Sequence, residues 1–176
     1  TGRALRAYHH HRYADGPGHR QYLAAAVIVL PATVAAAIRR AAETAYPEEC
    51  CGLLVGRSDQ PGQIAIVRAV AARNVSGGDR RRRFEVDPAA HFQLLRDVRG
   101  RNETMVGHYH SHPDHPAAPS SEDLAMAFEP NLIWLIVAVC RGCSGDLLAF
   151  RPNEDGTAFL PLRLQIGVTG SVAEGN

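Results

Sequence analysis

Gly107-His108-Tyr109-His110-Ser111-His112-Pro113, then Asp114-His115-Pro116-Ala117-Ala118-Pro119, then Ser120-Ser121-Glu122-Asp123-Leu124, is the stretch on which fold and chemistry both turn. Alternate residues of a strand share a face, so a strand ending here projects His110 and His112 the same way, with Cα atoms roughly 6–7 Å apart. The Pro113–Pro119 segment turns the chain. Ser120 followed by Ser121-Glu122-Asp123-Leu124 has the form of a helix start with a serine cap. Asp123 falls in the first turn of that helix and can reach back to the histidines. Two imidazoles and a carboxylate suit a zinc ion with three protein ligands and one open position. His108 shares the strand face and is a competing third ligand at this stage, whereas His115 reads as a solvated loop residue.

A second element lies upstream. Tyr46-Pro47-Glu48-Glu49-Cys50-Cys51-Gly52-Leu53-Leu54-Val55-Gly56 is a carboxylate pair running into an apolar, glycine-bounded strand. Together the two stretches resemble the JAMM (MPN+) metalloprotease family over Leu23 to Ile166. That family's pattern is a glutamate in a Pro-x-Glu-x-Cys-Gly context, then His-x-His, seven residues, Ser, two residues and Asp. It maps without a gap onto Glu49, His110, His112, Ser120 and Asp123. One departure is visible: the family often has a large aromatic two positions before the first ligand histidine, where this chain has His108.

The resemblance implies one catalytic zinc on His110, His112 and Asp123, in preference to a set including His108. It implies Glu49 as general base and proton shuttle, a role typically worth about 10²–10⁴-fold. Glu48 is the alternative base, but the Pro-x-Glu spacing selects its neighbour. Ser120 is implied as the donor that stabilises the tetrahedral oxyanion, where losing such a group costs roughly 3–4 kcal/mol; its other reading is a helix cap alone. A zinc ion so held brings the pKa of water from about 16 to about 7.

The 176 residues, with 18 acidic side chains against 19 basic ones, all arginine, fit one domain with a substantial core. Near-neutral charge gives no general reason to expect nucleic acid or an anionic membrane as partner. No apolar run reaches the ~18–20 residues of a membrane-spanning helix, since Pro31 divides the most apolar candidate, Gln21 to Ile38. No secretory leader is legible, and the chain starts at Thr1 rather than Met. Four cysteines, Cys50-Cys51 and Cys140-Arg141-Gly142-Cys143, are read as reduced, non-catalytic thiols of a cytoplasmic protein, with Cys51 a small core residue.

Residues 1–22, which include His9-His10-His11, read as a mobile tail, residues 23–166 as the JAMM/MPN+ domain and 167–176 as a C-terminal tail. Within the domain, strands are expected over 24–30 (where a helix lead-in is the other reading), 51–57, 63–72, 84–86, 104–109, 131–139, 147–151 and 159–166. Helices are expected from Pro31 to about Ala45, from Asp87-Pro88 to about Arg99, and briefly after Ser120. Turns are expected at 58–62 and 142–146, and a Gly- and Arg-rich loop at 74–83. The Arg80-Arg81-Arg82-Arg83 run reads as solvated, with docking of an acidic partner beside the cleft as its alternative. Irregular alternation of strands and helices gives a mixed α/β (α+β) fold, a sheet with helices packed on it. The resemblance implies a curved mixed sheet flanked by helices, of the cytidine-deaminase-like JAMM/MPN type.

Members of the family hydrolyse peptide or isopeptide bonds, often after the Gly-Gly tail of ubiquitin-like proteins. An extended glycine tail can add to a sheet edge and enter a narrow cleft. Too few residues separate Asp123 from the next strand for the long insertion that chain-selective deubiquitinases carry. The compact prokaryotic branch is therefore implied, acting on a small ubiquitin-fold sulfur carrier and releasing, for instance, cysteine. An inactive MPN scaffold is the alternative, although scaffolds normally lack ligands that are all present here. A zinc nucleobase deaminase needs His-x-Glu, which the chain does not contain.

Overall fold

The computed structural model describes residues 27–167; residues 1–22 and 168–176 of the expected tails, the His9–His11 tract and the start of the first expected strand lie outside the described residues. Strand β1 (Val27–Pro31) runs directly into helix α1 (Ala32–Ala45), with Pro31 itself at the N-cap. Its missing N–H costs nothing where helical N–H groups are unpaired anyway. Ala35, Ile38 and Ala42 form the buried stripe of α1 at helical spacing. Next come β2 (Cys51–Gln60), β3 (Gln63–Ala72), α2 (Pro88–Asp97), β4 (Thr104–Pro113), α3 (Ser121–Met126), β5 (Ile133–Cys140), β6 (Cys143–Pro152) and β7 (Phe159–Gly167). Asp87 caps α2 by accepting from the Ala89 N–H at 2.9 Å.

The mixed α/β expectation holds, but the curvature goes further than expected. The strands run in the order β1-β3-β2-β4-β5-β6-β7, and β7 pairs back onto β1, so the sheet closes on itself. The β1–β3, β1–β7 and β4–β5 pairings are parallel and the rest antiparallel. Closure removes both edges, the standard liability of an open sheet. Strand periodicity could not announce it, because closure is a pairing between the first and last strands.

Several boundaries also move. The expected turns shrink to Pro61-Gly62, with Gly62 at φ +74°, and Arg141-Gly142, with φ +51° and +80°. The second is a two-residue hairpin of the kind that needs positive φ at both central positions. Arg57–Gln60 and Cys143–Asp146 are polar yet lie in strands, because cross-strand pairing carries them where burial does not. The expected strand 84–86 is only an isolated bridge between Asn74 and Val86. The expected strand 104–109 extends through Pro113, taking both motif histidines into the ladder.

The main core lies on the sheet surface that carries α1 and draws on all seven strands, among them Ile28, Leu54, Ile66, Tyr109, Leu135 and Leu147. On the opposite surface sit two smaller clusters: Leu53, Val55, Leu94 and Met105 under α2, and Cys51, Phe84, Ala127 and Trp134 beside α3. Residues 133–137 of β5 are therefore buried on both faces, as a central strand demands. Gly107 allows β4 and β5 to meet: a Cβ there would stand 2.0 Å from the Ile133 carbonyl oxygen. Among the described residues no helix is long and apolar enough to cross a membrane.

Candidate metal centre and catalytic cleft

The last turns of chain in β4 carry His110 and His112 on the surface opposite α1, with β5 parallel alongside (His110 opposite Ile136, His112 opposite Ala138). Helix α3 then returns Asp123 to them. Its start is a capping box in which the Asp123 N–H donates to Ser120 Oγ (3.1 Å) and the Ser120 N–H donates to Asp123 Oδ2 (2.7 Å). The Ser120 hydroxyl also donates to Oδ2, at 2.8 Å. The carboxylate is thereby locked toward the strand. Its oxygens lie 3.1 Å from His110 Nε2 and 3.3 Å from His112 Nε2, and the two Nε2 atoms are 3.0 Å apart. His110, His112 and Asp123 are all buried and form the one group of metal-competent side chains found among the described residues.

The donor set fits a divalent cation. His112 Nδ1 lies 2.9 Å from the Pro116 carbonyl oxygen, which accepts only from N–H, so Nδ1 carries the proton and Nε2 offers its lone pair. Two imidazole lone pairs 3.0 Å apart repel unless a proton or a cation stands between them. Burial works against the Asp123 carboxylate, yet the His110 and His112 rings facing it and the Ser120 N–H hold it far below the ordinary carboxylate range. Burial lowers His110. At His112 burial is outweighed by Asp123 and the Pro116 carbonyl, so that ring is the one raised. A metal displaces whatever proton the group would otherwise share. Two nitrogens and a carboxylate oxygen are a zinc-type set.

Glu49 arrives from the strand on the other side of β4. Cys51 is registered opposite His110. One step out, the Ser111 N–H donates to the Cys50 carbonyl (3.1 Å) and the Cys50 N–H donates to Ser111 Oγ (2.8 Å). Continuing that antiparallel register brings Glu49 opposite His112. Burial, the main cause, pushes its carboxyl up to about 8, with His112 opposing and Asp123 reinforcing the rise. Any added positive charge at the histidines favours the ionised form, leaving a carboxyl able to take and return a proton near neutrality. Glu49 is 5% exposed, whereas the side chain of Glu48 is 48% exposed and lies 3.6 Å from Arg80 Nε. The two adjacent carboxylates thus occupy opposite environments.

His108 is not part of the converging group. Its ring packs edge-on to Trp134 with centroids 4.1 Å apart, and burial pushes its pKa down to about 3. Cys51 is a core residue as expected, its thiol pushed up to about 12 by burial; all four cysteines are free thiols, with Cys140 and Cys143 exposed across the hairpin from one another.

Two residues that matter were not singled out from the sequence. Phe84 stacks on the His110 ring at 4.3 Å. Asn74 binds four backbone groups: its Nδ2 donates to the Glu49 (3.1 Å) and Arg83 (2.9 Å) carbonyls, and its Oδ1 accepts from the Ser76 and Glu85 N–H groups, both at 3.1 Å. The Glu49 N–H also donates to the Arg80 carbonyl at 2.7 Å, so the Arg-rich loop is fastened to the segment bearing Glu49. An asparagine opening a glycine-rich loop is a turn signal; nothing in the local sequence says that it also reaches Glu49.

Comparison with known proteins follows the same lines. A family profile described as prokaryotic homologs of the JAB domain matches residues 31–151. A desampylase of Haloferax volcanii is 33% identical over 100 residues, 57% of this chain, which spans 65% of that relative's length. A CysO-cysteine peptidase of Mycobacterium tuberculosis is 29% identical over 140 residues, 78% of this chain and 91% of that protein. A solution structure of a Desulfitobacterium hafniense protein superposes with a TM-score of 0.66 at 29% identity, covering 81% of this chain and 95% of that one.

Proposed function

This chain belongs to the family of prokaryotic homologs of the JAB domain, and from that membership and the site geometry we propose that it is a zinc-dependent metallopeptidase or isopeptidase. The observation that carries the reading is the convergence of His110, His112 and Asp123 beside the buried Glu49. His110 and His112 through Nε2 and Asp123 through its carboxylate would hold the ion. When bound, zinc supplies Lewis acidity that eases ionisation of water and polarises a carbonyl.

The rest of the work falls to protein groups. Glu49 accepts the proton of the attacking water. As the C–N bond breaks and the water oxygen stays on the carbonyl carbon, Glu49 delivers that proton to the leaving nitrogen. The Glu49 carboxyl is fitted to this exchange by burial, which moves it toward neutrality. Ser120 keeps Asp123 aimed, and its hydroxyl is the donor we assign to the developing oxyanion once it turns from Asp123. Phe84 and Trp134 wall His110 and keep bulk water from it.

We assign as substrate a small cytoplasmic ubiquitin-fold sulfur carrier ending in Gly-Gly, cleaved after its last glycine, with cysteine as one leaving group. The names of the desampylase and CysO-cysteine peptidase relatives support this choice. So does the short span of residues 127–132 between α3 and β5, which has no room for a domain-holding insertion. Zinc-loaded protein should release free carrier from carrier conjugates, seen by mass spectrometry. Replacing the last glycine by valine should lower kcat/KM by roughly two orders of magnitude or more. Equal cleavage of unrelated unstructured peptides would overturn the carrier assignment.

A further inference from the structure

We propose that Arg82 and Arg83 form an anion-binding wall beside Asp123 that selects a leaving group bearing a free carboxylate, a single amino acid, over one linked through a lysine side chain. The inference rests on the peptidase reading above and specifies what it releases. A cleft of about 260 Å³ lies between two walls, Arg82, Arg83 and Phe84 on one side and Glu122, Asp123 and Met126 on the other. Asp123 belongs to the converging group and Phe84 stacks on His110, so the cleft borders the site. Its volume lies below that of a drug-sized ligand pocket and suits a group the size of one residue.

The wall is held in place from behind. The Arg83 carbonyl accepts from Asn74 Nδ2, the Arg82 N–H donates to the Asp79 carbonyl (3.1 Å), and the Arg81 N–H donates to Asp79 Oδ1 (3.1 Å). Charge then decides what the wall wants. Arg80 is occupied by Glu48, while among the described residues neither Arg82 nor Arg83 has a carboxylate within ion-pair distance. They share the cleft with the exposed Glu122. Asp123 is committed to the histidines. Two guanidiniums therefore face one exposed carboxylate, and the cleft carries a surplus of positive charge.

A Gly-Gly tail brings only neutral backbone to such a wall. On the other side of the scissile bond, the α-carboxylate of a departing amino acid lies about 2.5 Å from the leaving nitrogen, two covalent bonds away. There a guanidinium fork can hold it with paired, charge-assisted hydrogen bonds. A lysine-linked leaving group places its α-carbon five bonds from the nitrogen, inside a chain with no free carboxylate at that point. Met126 and Phe84 complete the cleft with a polarisable, apolar surface for a small side chain.

The test uses one ubiquitin-fold carrier whose Gly-Gly tail is extended by cysteine with a free carboxylate, by cysteine amide, or by ε-linked lysine within a peptide. With the zinc-loaded wild type, kcat/KM for the acid should exceed that for the amide by about ten- to a hundredfold, and more at low salt than at about 0.5 M. In Arg82→Gln/Arg83→Gln the ratio should fall to near one. Calorimetry with the Glu49→Gln protein should show the same acid-over-amide preference in binding, lost when the arginine changes are added. Equal acid and amide rates in wild type, or a preference that survives the double substitution, overturns the inference. Equal rates with a uniform, salt-dependent rise in KM in the double variant would assign the arginines to an acidic face of the carrier instead. If none of the three is cleaved the peptidase reading falls, and the calorimetric preference still decides the inference.

Discussion

The two halves of the site are built in different ways. His110, His112, Ser120 and Asp123 come from one continuous stretch, the end of β4 and the start of α3, held by the capping box. Glu49, Asn74, Arg83 and Phe84 come from a strand lead-in and a loop, brought together by Asn74 and by the Cys50–Ser111 hydrogen bonds. The first half collects ligands by local geometry. The second supplies the base and the cleft wall by tertiary contact. A half built locally should fail at its ligands, and one built by contact at its ties.

The largest effect should come from the local half. His112→Ala removes a nitrogen donor whose orientation the Pro116 carbonyl sets. Tightly held zinc, near one equivalent in the wild type by elemental analysis, should be mostly lost, and turnover should fall by roughly three orders of magnitude or more. Retention of full zinc content would mean that the ligands are misassigned.

Next comes the contrast within the assembled half. Glu49→Gln should lower kcat by about 10²–10⁴-fold with zinc content intact, while Glu48→Gln stays within about twofold. The same Glu49 change has a thermodynamic signature in chelator-treated protein. A carboxyl whose folded pKa is raised from 4.5 to about 8 loses fold stability as pH rises through that interval, because the folded state then binds more protons than the unfolded. Glu49→Gln should flatten this slope and leave the chelated protein more stable than wild type near pH 8, by roughly 1–3 kcal/mol in denaturant titrations. A wild type with no excess loss of stability between pH 5 and 8 would place Glu49 in contact with water instead.

Ser120 joins cap to chemistry. Ser120→Ala should cost about 1 kcal/mol of stability through the lost cap and roughly 10²-fold in kcat through the lost donor, and Ser120→Thr should restore most of both. A stability loss with activity unchanged would leave Ser120 as the cap alone.

The difference between the halves also explains what could be read without coordinates. Spacing on one strand and one helix start placed His110, His112 and Asp123 together, because those relations are local. The element order was legible too, down to the serine cap of α3. Barrel closure was not, since it depends on β1 meeting both β3 and β7. Nor was the strand character of Cys143–Asp146, whose polar side chains stay in the ladder by pairing with β5. His108 looked like a ligand by alternation alone; only Trp134, registered opposite it on β5, shows why its ring packs edge-on there.

Asn74 gives the sharpest test of the assembled half, with the smallest expected effect. It touches none of the converging side chains, yet its amide joins the Glu49 and Arg83 carbonyls while its oxygen accepts from Ser76 and Glu85. Asn74→Ala strips partners from four backbone groups, some partly buried, at an expected cost of about 1–3 kcal/mol. With the tie gone, Glu49 and the arginine wall are free to move apart, so kcat and KM should both worsen, together by roughly tenfold in kcat/KM. Zinc content should not change, because the ligands stand on the other half. Asn74→Asp keeps the acceptor for Ser76 and Glu85 but sets a carboxylate oxygen against the Glu49 and Arg83 carbonyls, so it should recover only part of the loop stability and none of the turnover. Full activity in Asn74→Asp would show that the bonds to Glu49 and Arg83 do not position the base, and the two halves would then be independent of the loop that joins them.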